Sequence, residues 1–278
     1  MYLAHFGLSE RPFGITPDTS YAFAATAHQE ALNTLVVALK SGEGFIKITG
    51  QVGTGKTMLC RRFLATLGED YYSAYLPNPS LAPLALLLAV ADELGLKLDP
   101  NEQQFQLTKH INQRLLDLAG EGKTVVLCVD EAQTAPLESL EALRLMSNLE
   151  TEKRKLMHVV LFGQPELNQK LADPSVRQLQ QRIAFSYNMK GLRRGELGHY
   201  LTHRLQVAGY RGSELFSRRA LGRLYRYSRG TPRLVNILAH KALLAAYGEG
   251  KPAVAARHVS AAARDTEGVE VRGWWRAS

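Results

Sequence analysis

Residues Gly50-Gln51-Val52-Gly53-Thr54-Gly55-Lys56-Thr57 follow the spacing G-x-x-x-x-G-K-[ST], between a β-favouring run and helix-forming residues. Glycines at these positions let main-chain N–H groups turn inward around a phosphate, and a helix starting there presents its positive end. Lys56 is placed to reach the β- and γ-phosphates of a nucleotide, and the Thr57 hydroxyl to ligate Mg2+. Gly50, Val52, Gly53, Thr54, Gly55, Lys56, Thr57 and Met58 are thus the expected binding segment, with Asp130 added from a second run. That run, Val125-Val126-Leu127-Cys128-Val129-Asp130-Glu131, is an apolar strand with two carboxylates at its C-terminal end, where parallel sheets bind ligands. Asp130 is expected to share the metal with Thr57, and Glu131 to orient and polarise an attacking water. Taken alone, the two acids read equally well as helix caps; joined to the phosphate loop they fit nucleotide hydrolysis. Gln164, just past a third strand, could touch the γ-phosphate or the water, and alone it is equally readable as an ordinary turn residue.

The elements that must hold these residues alternate. Strands are expected at 44–49, 71–76, 124–129, 158–162 and 183–189, and helices at 84–94, 105–118 and 137–149. The near-continuous apolar run at 124–129 is that of a strand buried on both faces. Strands alternating with helices predict an α/β fold, a P-loop parallel sheet flanked by helices, over residues 1–191. After Gly191 only helical spacing remains, at 196–208, 217–228, 232–247 and 254–264, which predicts a small all-helical lid domain over residues 192–278.

Composition narrows the class. The chain has 278 residues, 45% hydrophobic and 22% charged, values of a folded globular protein. Cys60 and Cys128 have no C-x-x-C partner, which excludes a disulfide framework and a cysteine-built zinc site and favours a reducing compartment. The N-terminus lacks the apolar core of a signal peptide. The longest strongly apolar stretch, 81–91, is about half the ~20 residues of a membrane span and contains Pro83, so it reads as a buried helix. The net charge of +8 is concentrated: residues 1–189 sum to −3, 190–233 to +9 and the remainder to +2. Arg219, Arg223 and Arg226 share one helical face, with Arg218, Arg229 and Arg233 nearby. A solvated face is the default reading. Nucleic acid, anionic lipid and an acidic protein are the alternatives, although the chain shows neither an RNA-binding aromatic motif nor a separate DNA-reading module.

The order of these motifs resembles the AAA+ ATPases. More narrowly it resembles the secretion-pathway A (ExeA-like) family and its shorter, MshM-type pilus-biogenesis members. The resemblance is carried by MYLAHFGLSERPFGITPD at the start, HQEAL at 28–32, GEGFIKITGQVGTGKT at 42–57 and VDEAQ at 129–133. It continues in LFGQPEL at 161–167, LQQRI at 179–183 and GTPRLVNIL at 230–238. It implies an ATP- and Mg2+-dependent ATPase, cytoplasmic or at the inner-membrane face, that forms a homo-oligomeric ring. Its implied work is to energise a secretion or type IV (MSHA-type) pilus apparatus through inner-membrane assembly proteins. A DNA-binding AAA+ regulator of the transposition type is the alternative, and a nucleotide-gated scaffold a third reading that intact Glu131, Gln164, Arg182 and Arg233 argue against. Nucleic acid is the less favoured partner. The resemblance also implies roles for single residues: Arg182 as an arginine finger, with Arg177 next in line, and Arg233 as a second sensor over the phosphates. Pro12-Phe13 and the His28 region resemble adenine-side elements, though Phe13 is equally readable as core. Longer members of the family continue into a membrane helix and a peptidoglycan-binding domain, so the chain is expected to be a short form or a cytoplasmic module. Trp274-Trp275 reads as a docked tail or the start of an interfacial belt.

Overall fold

Five strands form one parallel sheet in the order β2-β3-β4-β1-β5: β1 (Phe45–Gly50), β2 (Tyr71–Leu76), β3 (Thr124–Val129), β4 (Met157–Gly163) and β5 (Ile183–Met189). The computed structural model describes residues 2–16, 18–99, 102–148 and 155–269, so Trp274-Trp275 and the end of the helix expected at 137–149 lie outside the described residues. Twelve α-helices are described: α1 (Tyr2–Phe6), α2 (Thr26–Lys40), α3 (Lys56–Ala65), α4 (Pro83–Glu93), α5 (Gln104–Gly120), α6 (Leu137–Met146), α7 (Glu166–Leu171), α8 (Arg177–Arg182), α9 (Glu196–Val207), α10 (Arg218–Ser228), α11 (Pro232–Gly248) and α12 (Ala256–Arg264).

Strand alternation explains the layers. Val125, Leu127 and Val129 of β3 and Val159 and Leu161 of β4 face one core, filled by Leu86 and Val90 of α4, Ile111 and Leu115 of α5 and Leu140 and Leu143 of α6. Val126, Cys128, Val160 and Phe162 face the other, filled by Ala31 and Leu35 of α2 and Leu59 and Phe63 of α3. β3 and β4 are therefore largely apolar, as strands covered on both sides must be, with Thr124 and the buried His158 near their starts. The edge strand β5 alternates half-buried and exposed residues instead. Cys60 and Cys128 are both free and buried.

By contacts the chain divides into two compact units. One takes His28–Val52 and Lys56–Met189 and contains the sheet; the other takes Met1–Ala27, Gly53–Gly55 and Lys190–Ser278. The described residues of 2–27, grouped with the sheet in the sequence reading, pack with the helices. Tyr2, Phe6, Leu8, Phe13 and Tyr21 join Leu201, Leu224, Val235, Leu238, Leu243 and Val259 in one core. Phe13 meets Phe216 edge to face at 5.9 Å. Arg204 of α9 fixes the segment, its Nε donating to the Pro12 carbonyl at 2.6 Å and its guanidinium lying 4.5 Å from the centre of the Tyr21 ring. No helix among the described residues is long and apolar enough to cross a membrane.

Candidate active site

The phosphate loop leaves β1 at Gly50 and enters α3 at Lys56. Gly53 (φ 79°) and Gly55 (φ 96°) adopt the left-handed backbone that the tight turn requires, where a side chain would cost roughly 1–2 kcal/mol. Lys56 is 5% exposed, and its Nζ donates to the carbonyls of Gly50 and Gln51 at 2.9 and 3.2 Å. Burial holds this ammonium below the usual lysine range, against the pull of Glu131, Asp130 and Glu166. Thr54 is buried, Val52 is exposed and Met58 is half-buried in the first turn of α3.

Asp130 follows β3 directly, its N–H extending the ladder to Leu76 of β2 at 2.9 Å. Its Oδ2 accepts from the Thr57 hydroxyl at 2.7 Å, and the Tyr75 hydroxyl lies 3.4 Å from the same oxygen. Burial, then the Asp130 charge, pushes the Tyr75 phenol up to about 12. A hydroxyl and a carboxylate facing each other are hard oxygen donors, the set that suits Mg2+. Among the described residues no group of three or more His, Cys, Asp or Glu side chains is placed to hold a metal. Thr57 and Asp130 would therefore hold Mg2+ with phosphate oxygens and water completing its shell, as this ion prefers.

Glu131 turns the chain away from the strand in a left-handed conformation (φ 49°, ψ 35°). Its Oε2 accepts from the Gln133 amide at 2.6 Å and from the Gln164 amide at 3.1 Å. Burial pushes the Glu131 carboxyl up. The two amide hydrogen bonds and the Lys56 charge outweigh that, so it sits below the usual carboxylate range and is ionised at neutral pH. Gln164 itself follows β4 by one residue; its amide reaches Glu131, and its main-chain N–H donates to Gln133 Oε1 at 2.9 Å.

Lys56, Thr57, Asp130, Glu131 and Gln164 thus meet at the C-terminal ends of β1, β3 and β4. Two arginines lie elsewhere, and a third, Arg233, donates its main-chain N–H to the Gly53 carbonyl of the phosphate loop at 3.2 Å. Arg182, at the end of α8, is exposed and its Nη1 donates to Ser147 Oγ at 3.3 Å. Arg177, at the start of α8, is also exposed. Arg233 is exposed in the first turn of α11, in the helical unit. Sequence reasoning missed Gln133 and Tyr75. Gln133 stood in the phrase VDEAQ, but only the placement of the β4 end beside the β3 end gives its amide two partners.

Residues 39–171 match the AAA domain family. Over 277 residues the chain is 42% identical to general secretion pathway protein A of Aeromonas hydrophila; the match covers all of this chain and 50% of that protein, so the chain spans half the length of the relative. Among solved structures, the Aeropyrum pernix ORC2 protein in its ADPNP-ADP complexes aligns with a TM-score of 0.65 at 18% identity, over 89% of this chain and 68% of that one. The Thermotoga maritima RuvB Holliday junction branch migration motor aligns at 0.53 and 16% identity, over 86% and 68%. Such identities speak for fold alone. The chain has the P-loop NTPase fold of the AAA type, a parallel five-stranded sheet flanked by helices and accompanied by a C-terminal helical region, and along its whole length it is similar to half of a secretion pathway protein A.

Proposed function

We propose that this protein binds and hydrolyses ATP with Mg2+ and uses the energy to assemble a secretion or type IV (MSHA-type) pilus apparatus at the cytoplasmic face of the inner membrane. The observation that carries the enzymatic part is the cluster at the strand ends. There a buried lysine, a threonine–aspartate pair and an ionised, hydrogen-bonded glutamate are the groups that holding a nucleoside triphosphate and activating a water would call for. Lys56 exchanges its two carbonyl partners for the β- and γ-phosphates. Mg2+, when bound at Thr57 and Asp130, supplies neutralisation of phosphate charge. The water oxygen bonds to the γ-phosphorus as the bond to the β–γ bridging oxygen breaks, its electron pair leaving with ADP, and Glu131 accepts the water proton. Gln164 holds Glu131 in place. The likeness to secretion pathway protein A supports the secretory role.

A remote arginine contributes to such a reaction only where charge builds on the leaving phosphates. Arg182, exposed at the end of α8, is the finger offered to a neighbouring subunit of a homo-oligomeric ring, with Arg177 next in line, and Arg233 is the sensor on the helical unit. Mixing Arg182→Ala with Lys56→Ala protein tests this. The first keeps an intact phosphate site and the second an intact finger, so two inactive proteins should partly recover ATP turnover in a mixed oligomer. A demonstrated mixed oligomer that stays inactive removes Arg182 from the role. A DNA-binding regulator is the second reading, favoured by the arginines exposed on α10.

A further inference from the structure

The carboxylate of Glu131 is gripped on one side only. Both amide donors, from Gln133 and Gln164, sit on Oε2, and among the described residues no side chain holds Oε1. Gln133 uses both ends of its amide: its nitrogen donates to Glu131, and its oxygen accepts the main-chain N–H of Gln164. It thereby ties the end of β3 to the end of β4 across the turn that carries the left-handed Glu131. The turn is itself anchored, because Lys170 of α7 donates to the carbonyls of Gln133 and Ala135 at 2.7 and 2.5 Å. Space is kept for the amide as well: a Cβ at Gly163 would stand 3.2 Å from Gln133 Oε1 and 2.7 Å from Leu167 Cδ2.

We propose that Gln133 is a positioning residue for hydrolysis: it fixes Oε2 of Glu131 and locks the Gln164 turn against it, leaving Oε1 as the oxygen that receives the water proton. A carboxylate held by one hydrogen bond rotates about its last torsion. Two donors on the same oxygen, one of them bridged to the other's main chain, hold its plane. Misplacement of a reacting group by about 1 Å can cost on the order of 100-fold in rate, whereas nucleotide affinity rests on Lys56 and the loop. The inference rests on the reading of Glu131 as the group that polarises the water.

Gln133→Met preserves chain length and bulk but removes both amide hydrogen bonds. In the full chain, its kcat for ATP should fall roughly 10- to 100-fold, with KM and the dissociation constant for a fluorescent ATP analogue within about twofold of wild type. Gln133→Ala should do the same, as should Gln164→Met. In the Glu131→Gln background, Gln133→Met should add no further loss, because residues acting through one group are not additive. Wild-type kcat in Gln133→Met overturns the proposal while leaving the catalytic reading intact. So does an equal further loss in the Glu131→Gln background, which would make Gln133 independent of Glu131. Wild-type hydrolysis by Glu131→Gln alone overturns the catalytic reading, and this proposal with it.

Discussion

The active site and the exposed face of α10 are both rich in charge, and they treat it in opposite ways. At the strand ends every charged group is tied: Lys56 to two carbonyls, Asp130 to Thr57 and Glu131 to two amides. These groups are buried or half-buried, where interactions are strong and an unpaired charge is costly. On α10 the charges are exposed. Arg218, Arg219 and Arg226 have no carboxylate partner among the described residues, and Arg223 donates only to the Ser260 hydroxyl. Two other cations of the helical unit are paired, Arg257 with Glu249 at 2.7 Å and Lys241 with Asp265 at 2.9 Å. Preorganised charge serves chemistry on a small ligand, while unpaired surface charge serves a large anionic partner or none. The first acts at short range and resists salt; the second is screened over about 10 Å at ordinary ionic strength.

The largest effect should come from the tied region. Lys56→Ala removes the one cation aimed at the phosphates and should weaken ATP binding roughly 100-fold or more, since losing a partner of a buried charge contact costs several kcal/mol. Isothermal titration with ATP measures it, and a change below about threefold would show that Lys56 does not contact phosphate.

The arginine face predicts a different signature. If it meets DNA as a regulator would, affinity should fall about 10³-fold or more between 50 and 200 mM salt for six or more phosphate contacts. The double variant Arg219→Glu, Arg223→Glu should then lose it. The secretion reading expects binding no tighter than the ~10⁻⁴–10⁻⁶ M of non-specific contact at physiological salt. Fluorescence anisotropy over a salt series separates the two.

The smallest effect concerns the helix that presents those arginines. Ser217 caps α10 by accepting from the Ala220 N–H at 3.2 Å. Ser217→Ala should cost about 1 kcal/mol, seen as a fall of a few degrees in Tm, with ATP hydrolysis unchanged. A drop in hydrolysis would mean that the two regions are coupled.

Much of the tied region could be read in the sequence because its signals are local. A glycine-rich turn, a lysine and an apolar strand ending in two acids carry their geometry in their spacing. The five strands likewise announced themselves through apolar, β-favouring runs. What escaped depends on contacts distant in the chain. Helix α2 buries Leu35 fully, yet only the phrase HQEAL within it stood out. Residues 1–27 give no periodicity from which to infer that Tyr2, Phe6 and Phe13 belong to the helical core; Arg204, nearly two hundred residues later, holds them there. Gln133 and Tyr75 are polar residues of ordinary type, and their partners become visible only when β2, β3 and β4 lie side by side.

The account turns on Glu131 as the group that polarises water. Single-turnover hydrolysis of radiolabelled ATP by Glu131→Gln protein, beside an equilibrium measurement of ATP binding, tests it most directly. Binding should match wild type within about twofold, while the hydrolysis rate should fall by roughly 10²–10⁴-fold, the usual contribution of a positioned general base. Hydrolysis at the wild-type rate with ATP bound would contradict the account and place the chemistry of this site on another residue.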